Sequence, residues 1–362
     1  MSHEIHIVAF DVPYPADYGG VIDIYNRLLW FKSKGWEITL HCFEYGREKN
    51  NELEKIATVF YYPRKKSFWS WLSLTPFIVE TRKNKLLAKR LAEADCPVIL
   101  EGLHSAHYCK ITPGKFWVRT HNIEHEYYRE LSKKASFLKK NYFLSESIKL
   151  KFYERRLKLA KGLLTLSQTD FLHFKKINSN CHLVYPNIEI LLDEASTEIF
   201  VLVQGNFSVE ENHSSALWLT KNIVAECKEI EFVFAGKNPK QELINAVTNA
   251  EGRMWKNPTD KEMKLLNRKA RIHLLHTHQA TGLKLKLINA LNSKGHVVAN
   301  DTMFIGTELK QFCLLANGAK EYVAIIREKI ASELKTEDLN IRRVYLQDVF
   351  GGNQLDKIVE VL

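Results

Sequence analysis

The sequence predicts an α/β protein built from two tandem βα domains, and three observations carry that prediction. Short β-branched or aromatic runs alternate with helix-length stretches along the chain, the grammar of parallel sheets joined by helical crossovers. The alternation restarts near residue 200, after a segment, YPNIE (185–189), whose proline and asparagine read as a hinge. A length of 362 residues also suits two ordinary cores better than one, since domains commonly run to about 100–200 residues.

The first domain is expected over 1–187. IHIVAF (5–10) reads as a strand, the loop DVPYPADYGG follows, and a helical pattern runs from Val21 to Lys34. EITLHCF (37–43), PVILEGL (97–103), FWVRTHN (116–122) and GLLTLS (162–167) continue the strand series. The second domain, 188–352, repeats the order: FVLVQGN (200–206), a helix through Glu226, EFVFAGKNP (231–239), a helix, RMWKNP, another helix, RIHLLH (271–276), the apolar run TGLKLKLINALNSKG and HVVAN (296–300). The closing helix, 353–362, can pack on either half and would complete the first domain. Two such sheets would present their carboxyl ends to one cleft, where open α/β folds bind ligands.

Composition sets the class. With 45% hydrophobic and 26% charged residues the chain reads as soluble and globular, and no apolar run approaches the ~20 residues of a membrane span. The N-terminus carries charge at once, unlike a signal peptide, so a cytoplasmic location is expected. The six cysteines are scattered without zinc-site spacing and read as buried apolar residues. Net charge is +10, with 30 Lys+Arg against 20 Asp+Glu in residues 1–190 and 22 against 22 thereafter. A basic first half suits anionic lipid, a phosphorylated substrate or nucleic acid, or is a solvated lysine-rich surface. Nucleic acid is disfavoured because no recognition module accompanies the basic residues.

The candidate chemistry sits at strand ends. Gly19 and Gly20 open the first helix and allow close backbone approach to an anion; the spacing is not GxGxxG, and Glu44 is the nearest acidic residue after the second strand. Thr120, His121 and Asn122 follow one strand and Glu101 and His104 another, and a histidine so placed can contact a sugar hydroxyl or move a proton. In the second half Gly205 with Asn206, and Gly236 with Lys237, end successive strands; with Lys284 and Lys286 they suggest a phosphate-binding rim. There is no GxxxxGK[ST] loop, no GxSxG elbow and no Asp-x-Asp pair, which disfavours a P-loop enzyme, a serine hydrolase and a carboxylate-bound metal at a diphosphate.

Taken in order, PYPADYGG, the HN pair at 121–122, YPN, VQGN, FAGKNP and TGLKLKLINALNSKGHVVAN resemble a GT-B-fold glycosyltransferase of the family 4 type, in a bacterial subgroup with a GLKxKL donor-site motif. The resemblance covers nearly the whole chain. It implies two Rossmann-like domains across a cleft, the first binding the acceptor and the second a nucleoside diphosphate sugar. It also implies hexosyl transfer with retention, no cofactor and no required metal. His121 would lie near the donor sugar. Gly19 and Gly20 would contact the acceptor or a phosphate, and Gly282, Leu283, Lys284 and Leu285 would hold the diphosphate through backbone N–H groups. Asn289 would stand where the family's ribose-binding glutamate is expected. The family's two glutamates are Thr281 and Asn289 here, and Asn206 and Asn212 stand near its usual arginine and lysine, whose charge Lys284 and Lys286 would supply. A neutral amide holds a ribose hydroxyl less strongly than a carboxylate. Two alternatives follow: a sugar-nucleotide epimerase of the same architecture, or a transferase-like binding subunit without catalysis. The acceptor is expected to be a glycan or a lipid-linked chain in surface polysaccharide or glycoconjugate synthesis. The basic, aromatic segment YYPRKKSFWSWLSLTPF (61–77) can seat peripherally on an anionic membrane or form a partly buried loop.

Overall fold

A computed structural model of the chain describes residues 3–16, 19–188, 190, 196–351 and 353–362, so Asp17 and Tyr18 of the first glycine loop and Glu189 of the hinge segment lie outside the described residues. The chain divides into two compact units, one of residues 1–187 with 281–283 and 352–362, the other of 188–280 with 284–351.

The first unit holds a seven-stranded parallel sheet in the order β3-β2-β1-β4-β5-β6-β7. Its strands are β1 (Glu4–Ala9), β2 (Glu37–Glu44), β3 (Thr58–Pro63), β4 (Val98–Glu101), β5 (Trp117–Thr120), β6 (Gly162–Thr165) and β7 (Cys181–Leu183). The central strands are apolar on both sides because helices cover both faces. On one face Val8, Leu100, Val118 and Leu163 pack against Leu87, Leu91, Leu150 and Tyr153 of two helices. On the other, Ile7, Leu40, Ile99 and Leu164 pack against Ile24, Leu28 and Phe31 of helix Gly19–Ser33 and against Leu355 and Ile358 of helix Asn353–Val361. The C-terminal helix is thus part of this core, and Lys161 Nζ donates to the carbonyl of Leu362 at 2.9 Å.

The second unit holds a six-stranded parallel sheet in the order β10-β9-β8-β11-β12-β13. Here β8 is Glu198–Asn206, β9 Phe232–Lys237, β10 Arg253–Lys256, β11 Ala270–Leu275, β12 His296–Ala299 and β13 Leu314–Leu315. Val201, Phe234, Ile272 and Val298 bury one face against Leu219, Leu243, Val247, Tyr322 and Ile326, and Phe200, Leu202 and Val233 bury the other with Leu266. In each unit the sequential order of crossovers reverses beside the first strand, between β1 and β4 and between β8 and β11. Ligand crevices form at the carboxyl ends of strands flanking such a reversal.

One sequence expectation needs correction. The run from Thr281 is not one long helix: it is helical only over Leu285–Leu291, with Lys284 at the N-cap. Gly282 takes a left-handed φ of 73°, favoured by glycine, so the chain turns before the helix starts. Seven residues make about two turns, too short for the helix dipole to carry much of an anion's charge.

Candidate functional site

The first unit gathers four of the predicted residues, Glu101, His104, His121 and Asn122, at the carboxyl ends of β4 and β5. Glu101 ends β4, and His121 and Asn122 follow β5. His121 Nε2 and Glu101 Oε2 are 2.9 Å apart, so the carboxylate accepts an N–H there and fixes the ring. Glu101 is fully buried, and its other oxygen accepts from Arg27 Nη2. Arg27 also donates to Asp23 Oδ2 at 3.2 Å, and Arg119 grips Asp23 with Nε at 2.7 Å and Nη2 at 2.9 Å. Two guanidinium groups, two carboxylates and one imidazole thus form a closed buried network. Burial alone would raise the Asp23 pKa, but Arg119 and Arg27 outweigh it and hold the carboxyl well below the usual range. Burial likewise opposes the charge on Arg27, and Glu101 and Asp23 overcome it and raise its pKa.

Glu101 is consequently not a cleft carboxylate but the group that positions His121. Asp23, Glu101 and His121 lie close enough to suggest a metal site, yet both carboxylates are already neutralised by arginine, which leaves no negative charge to attract a cation. His121 Nδ1 is buried and has no hydrogen-bond partner among the described residues, so it is the ring nitrogen not already engaged. Phe10 sets the ring's place. It meets His121 edge-on at 5.3 Å and stacks on His104 at 5.0 Å. Gly20 is required by the same ring, since a Cβ there would sit 2.7 Å from Phe10 Cζ. Gly19 begins the helix. Burial, with Arg82 nearby, pushes the His104 pKa well below its ordinary value, so this imidazole is neutral and packs rather than titrates.

In the second unit the glycines serve the sheet first. Gly205 and Gly236 are cross-strand partners, and a Cβ on Gly236 would collide with the Gly205 carbonyl oxygen. The Asn206 side chain is engaged in the turn after β8, accepting from Ser208 N at 3.1 Å and from Ser208 Oγ at 2.7 Å. Lys237 ends β9 opposite Asn206, half-buried. Leu283, Lys284 and Leu285 are half-buried around the helix start, and Asn289 is exposed on the helix.

Lys286 is the lysine built into this unit. Its ammonium donates to Asn212 Oδ1 at 3.1 Å and lies 3.9 Å from Glu211 Oε1, with 19% of the side chain exposed. Burial lowers its pKa, and Glu211 pulls it back up. Glu211 also accepts from Thr277 Oγ1, and Thr277 is held in turn by Asn300, which accepts from its N–H at 3.1 Å and donates to its carbonyl at 2.7 Å. Lys286, Asn212, Gln204, Ser215 and His276 line one pocket beside β8 and β11. His276 stacks on Trp218 with ring centroids 4.3 Å apart. A largely buried ammonium whose one hydrogen bond goes to an amide oxygen keeps donors that an anion can use.

Sequence reasoning missed Asp23, Arg27, Arg119, Phe10, Glu211 and Thr277. Asp23 and Arg27 did leave a signal: an acid and a base four apart on an otherwise apolar helix face. Glu211 and Thr277 left none, since 66 residues separate them.

No family model matches the chain. A relative from Klebsiella pneumoniae, an uncharacterized 44.6 kDa protein in cps region, is 25% identical over 331 residues, 84% of each chain. Among solved structures, the chain is similar to WaaG, a glycosyltransferase involved in lipopolysaccharide biosynthesis, with a TM-score of 0.68 at 12% identity over 99% of both chains. It is also similar to HepE of Anabaena in complex with UDP and glucose, at 0.66 and 12% over 99% of this chain and 98% of that one. A TarM variant of S. aureus, in complex with fondaparinux, alpha-GlcNAc-glycerol and UDP, gives 0.65 and 11% over 99% and 98%. In fold, this chain shares with these proteins the two parallel-sheet α/β units of GT-B glycosyltransferases.

Proposed function

We propose that the chain is a glycosyltransferase that moves a hexose, with retention and without a metal at the diphosphate, from a nucleoside diphosphate sugar to a glycan or lipid-linked acceptor. The observation that carries the reading is Lys286, a largely buried ammonium at the strand ends of the second unit that donates to one amide oxygen and lies 3.9 Å from a carboxylate. Bound there, the departing diphosphate would gain a charge-assisted partner in a partly dry site, where such contacts count most. The oriented His121 of the first unit supports acceptor or sugar contact. Retaining transfer needs positioning and leaving-group stabilisation more than a strong nucleophile, which suits this residue set.

The acceptor side reads as membrane-facing. Helix Phe68–Leu72 and helix Phe137–Tyr153 meet through Trp71 and Tyr142, whose ring centroids are 5.1 Å apart. Their outer surface leaves Trp69 76%, Leu74 93%, Phe137 77% and Leu138 81% exposed, and Lys65, Lys66, Lys139 and Lys140 are exposed beside them. Apolar side chains of this size flanked by lysines suit the interface of an anionic bilayer, here the inner face of the cell membrane. No helix among the described residues is long and apolar enough to cross a membrane.

A second reading, a binding subunit without catalysis, is supported by Thr281 and Asn289 in place of two carboxylates. Calorimetric titration with UDP and other nucleoside diphosphates, then release of the diphosphate from a panel of sugar donors with acceptor glycans, separates the two. Binding with turnover supports the transferase, and binding without turnover supports the subunit. No binding of any nucleoside diphosphate would sink both.

A further inference from the structure

A second cluster in the first unit has no part in that reading. His125, the second residue of helix Glu124–Lys134, places Nδ1 2.8 Å from Glu154 Oε1. His173, on helix Gln168–Phe174, places Nε2 3.1 Å from Glu154 Oε2. Glu154 begins the short helix Glu154–Leu159, and its side chain is 3% exposed. The two imidazole centroids are 5.6 Å apart, and one donor atom from each residue lies within 4.8 Å of the others. Three separate helices therefore converge two imidazoles on one buried carboxylate.

We propose that His125, Glu154 and His173 form a binding site for a transition-metal dication of the zinc type, which clips these three helices together. Two histidines and one glutamate are a common zinc donor set, with bonds of about 2.0–2.2 Å, which place tetrahedral donors about 3.3–3.5 Å apart. The two N···O separations already approach that edge, and the longest donor separation closes by roughly 1–1.5 Å at most to reach it. Charge favours the cation as well, because the buried Glu154 carboxylate faces two imidazoles that are neutral when they ligate. The His173 side chain is 29% exposed, which leaves an entry path and room for a water as fourth ligand. The clip would brace the segment four residues beyond His121. Its role is structural, and the proposed transfer binds the donor diphosphate without metal.

The full chain, stripped with chelator, should bind one equivalent of ZnCl2 by calorimetry, with a higher Tm and, with CoCl2, the visible absorption of four-coordinate cobalt. His173→Ala, at the most exposed of the three ligands, should weaken Zn2+ binding at least ~10-fold and abolish the Tm gain, whereas His182→Ala should change neither. If Glu154→Gln fails to fold, His173→Ala still decides the matter. Equal Zn2+ affinity in the wild type and His173→Ala, or a Tm that does not rise with Zn2+, would overturn the proposal.

Discussion

Replacing Lys286 by methionine keeps most of the side-chain volume and removes one charge. In the free protein the ammonium has one hydrogen bond, to Asn212 at 3.1 Å, and a carboxylate just beyond hydrogen-bond reach, Glu211 at 3.9 Å. It therefore retains donors for a phosphate oxygen. A hydrogen bond to a charged group is worth about 1.5–3 kcal/mol, which is roughly 10- to 150-fold in Kd. Glu211 already attracts the same ammonium and repels a diphosphate, so the lower part of that range applies, and Lys286→Met should weaken UDP about 10- to 30-fold. Uridine lacks the diphosphate and should bind the two proteins alike. The pH dependence has a definite sign. Burial lowers the Lys286 pKa, with Glu211 opposing it, so the ammonium is lost at lower pH than in an ordinary lysine. UDP affinity of the wild type should fall as pH rises toward that value, and that of the methionine variant should not. Calorimetry with UDP and uridine across pH measures both effects. Equal loss for the two ligands would mean that Lys286 supports the pocket's shape, and no loss would remove it from the site.

Four further outcomes are expected. Asp23→Ala leaves Arg119 and Arg27 buried with only Glu101 between them and should cost about 3–5 kcal/mol in urea unfolding; a loss under ~1 kcal/mol would refute the closed-network account. Because the folded pKa of Asp23 is depressed, its contribution is complete above about pH 4 and is lost as pH falls through the depressed value, so the gap between wild type and Asp23→Ala should narrow in acid. His121→Ala should reduce sugar transfer more than UDP binding, as should Glu101→Gln, whose single carbonyl oxygen cannot accept from both Arg27 and His121; equal loss of both activities would contradict the placement. Trp69→Ala with Leu74→Ala should lower sedimentation with phosphatidylglycerol vesicles while leaving UDP binding intact, and unchanged sedimentation would mean that the patch faces something else. Gly236→Ala forces a methyl into the Gly205 carbonyl and should destabilise by roughly 1–3 kcal/mol in thermal or urea unfolding.

Much of the fold was legible because buried parallel strands are written as continuous apolar runs, and IHIVAF, PVILEGL, FVLVQGN and RIHLLH all contain strands. Three of the four edge strands were not. β3, TVFYYP, mixes exposed and half-buried positions, β7 has three residues and β13 two, too little for a period to register. Helix 285–291 was overread, because the apolar pattern continues through positions where Gly282 turns the backbone. At the candidate site, the residues at strand ends could be read from position alone. Their partners could not, because Arg119 meets Asp23 across 96 residues and Thr277 meets Glu211 across 66. A pairing of that separation leaves no local pattern; it arises only when the sheet order is known.

The placement of charge constrains which half can attract a diphosphate. The first half carries the entire excess of ten positive charges. Its buried arginines at the strand ends, Arg27 and Arg119, are neutralised by Asp23 and Glu101 and offer little net field. The excess must therefore reside largely in exposed lysines such as Lys65, Lys66, Lys139 and Lys140, which lie beside exposed aromatic and aliphatic side chains. The second half is balanced overall, with 22 charges of each sign, so a diphosphate there depends on a local cation, and Lys286 is partly dry and weakly paired. In the proposed function, long-range attraction to an anionic surface and short-range capture of an anion would therefore fall to different units by different means. Added salt should weaken the first far more than the second, because exposed charges are screened over about 8–10 Å whereas a partly buried pair is screened much less.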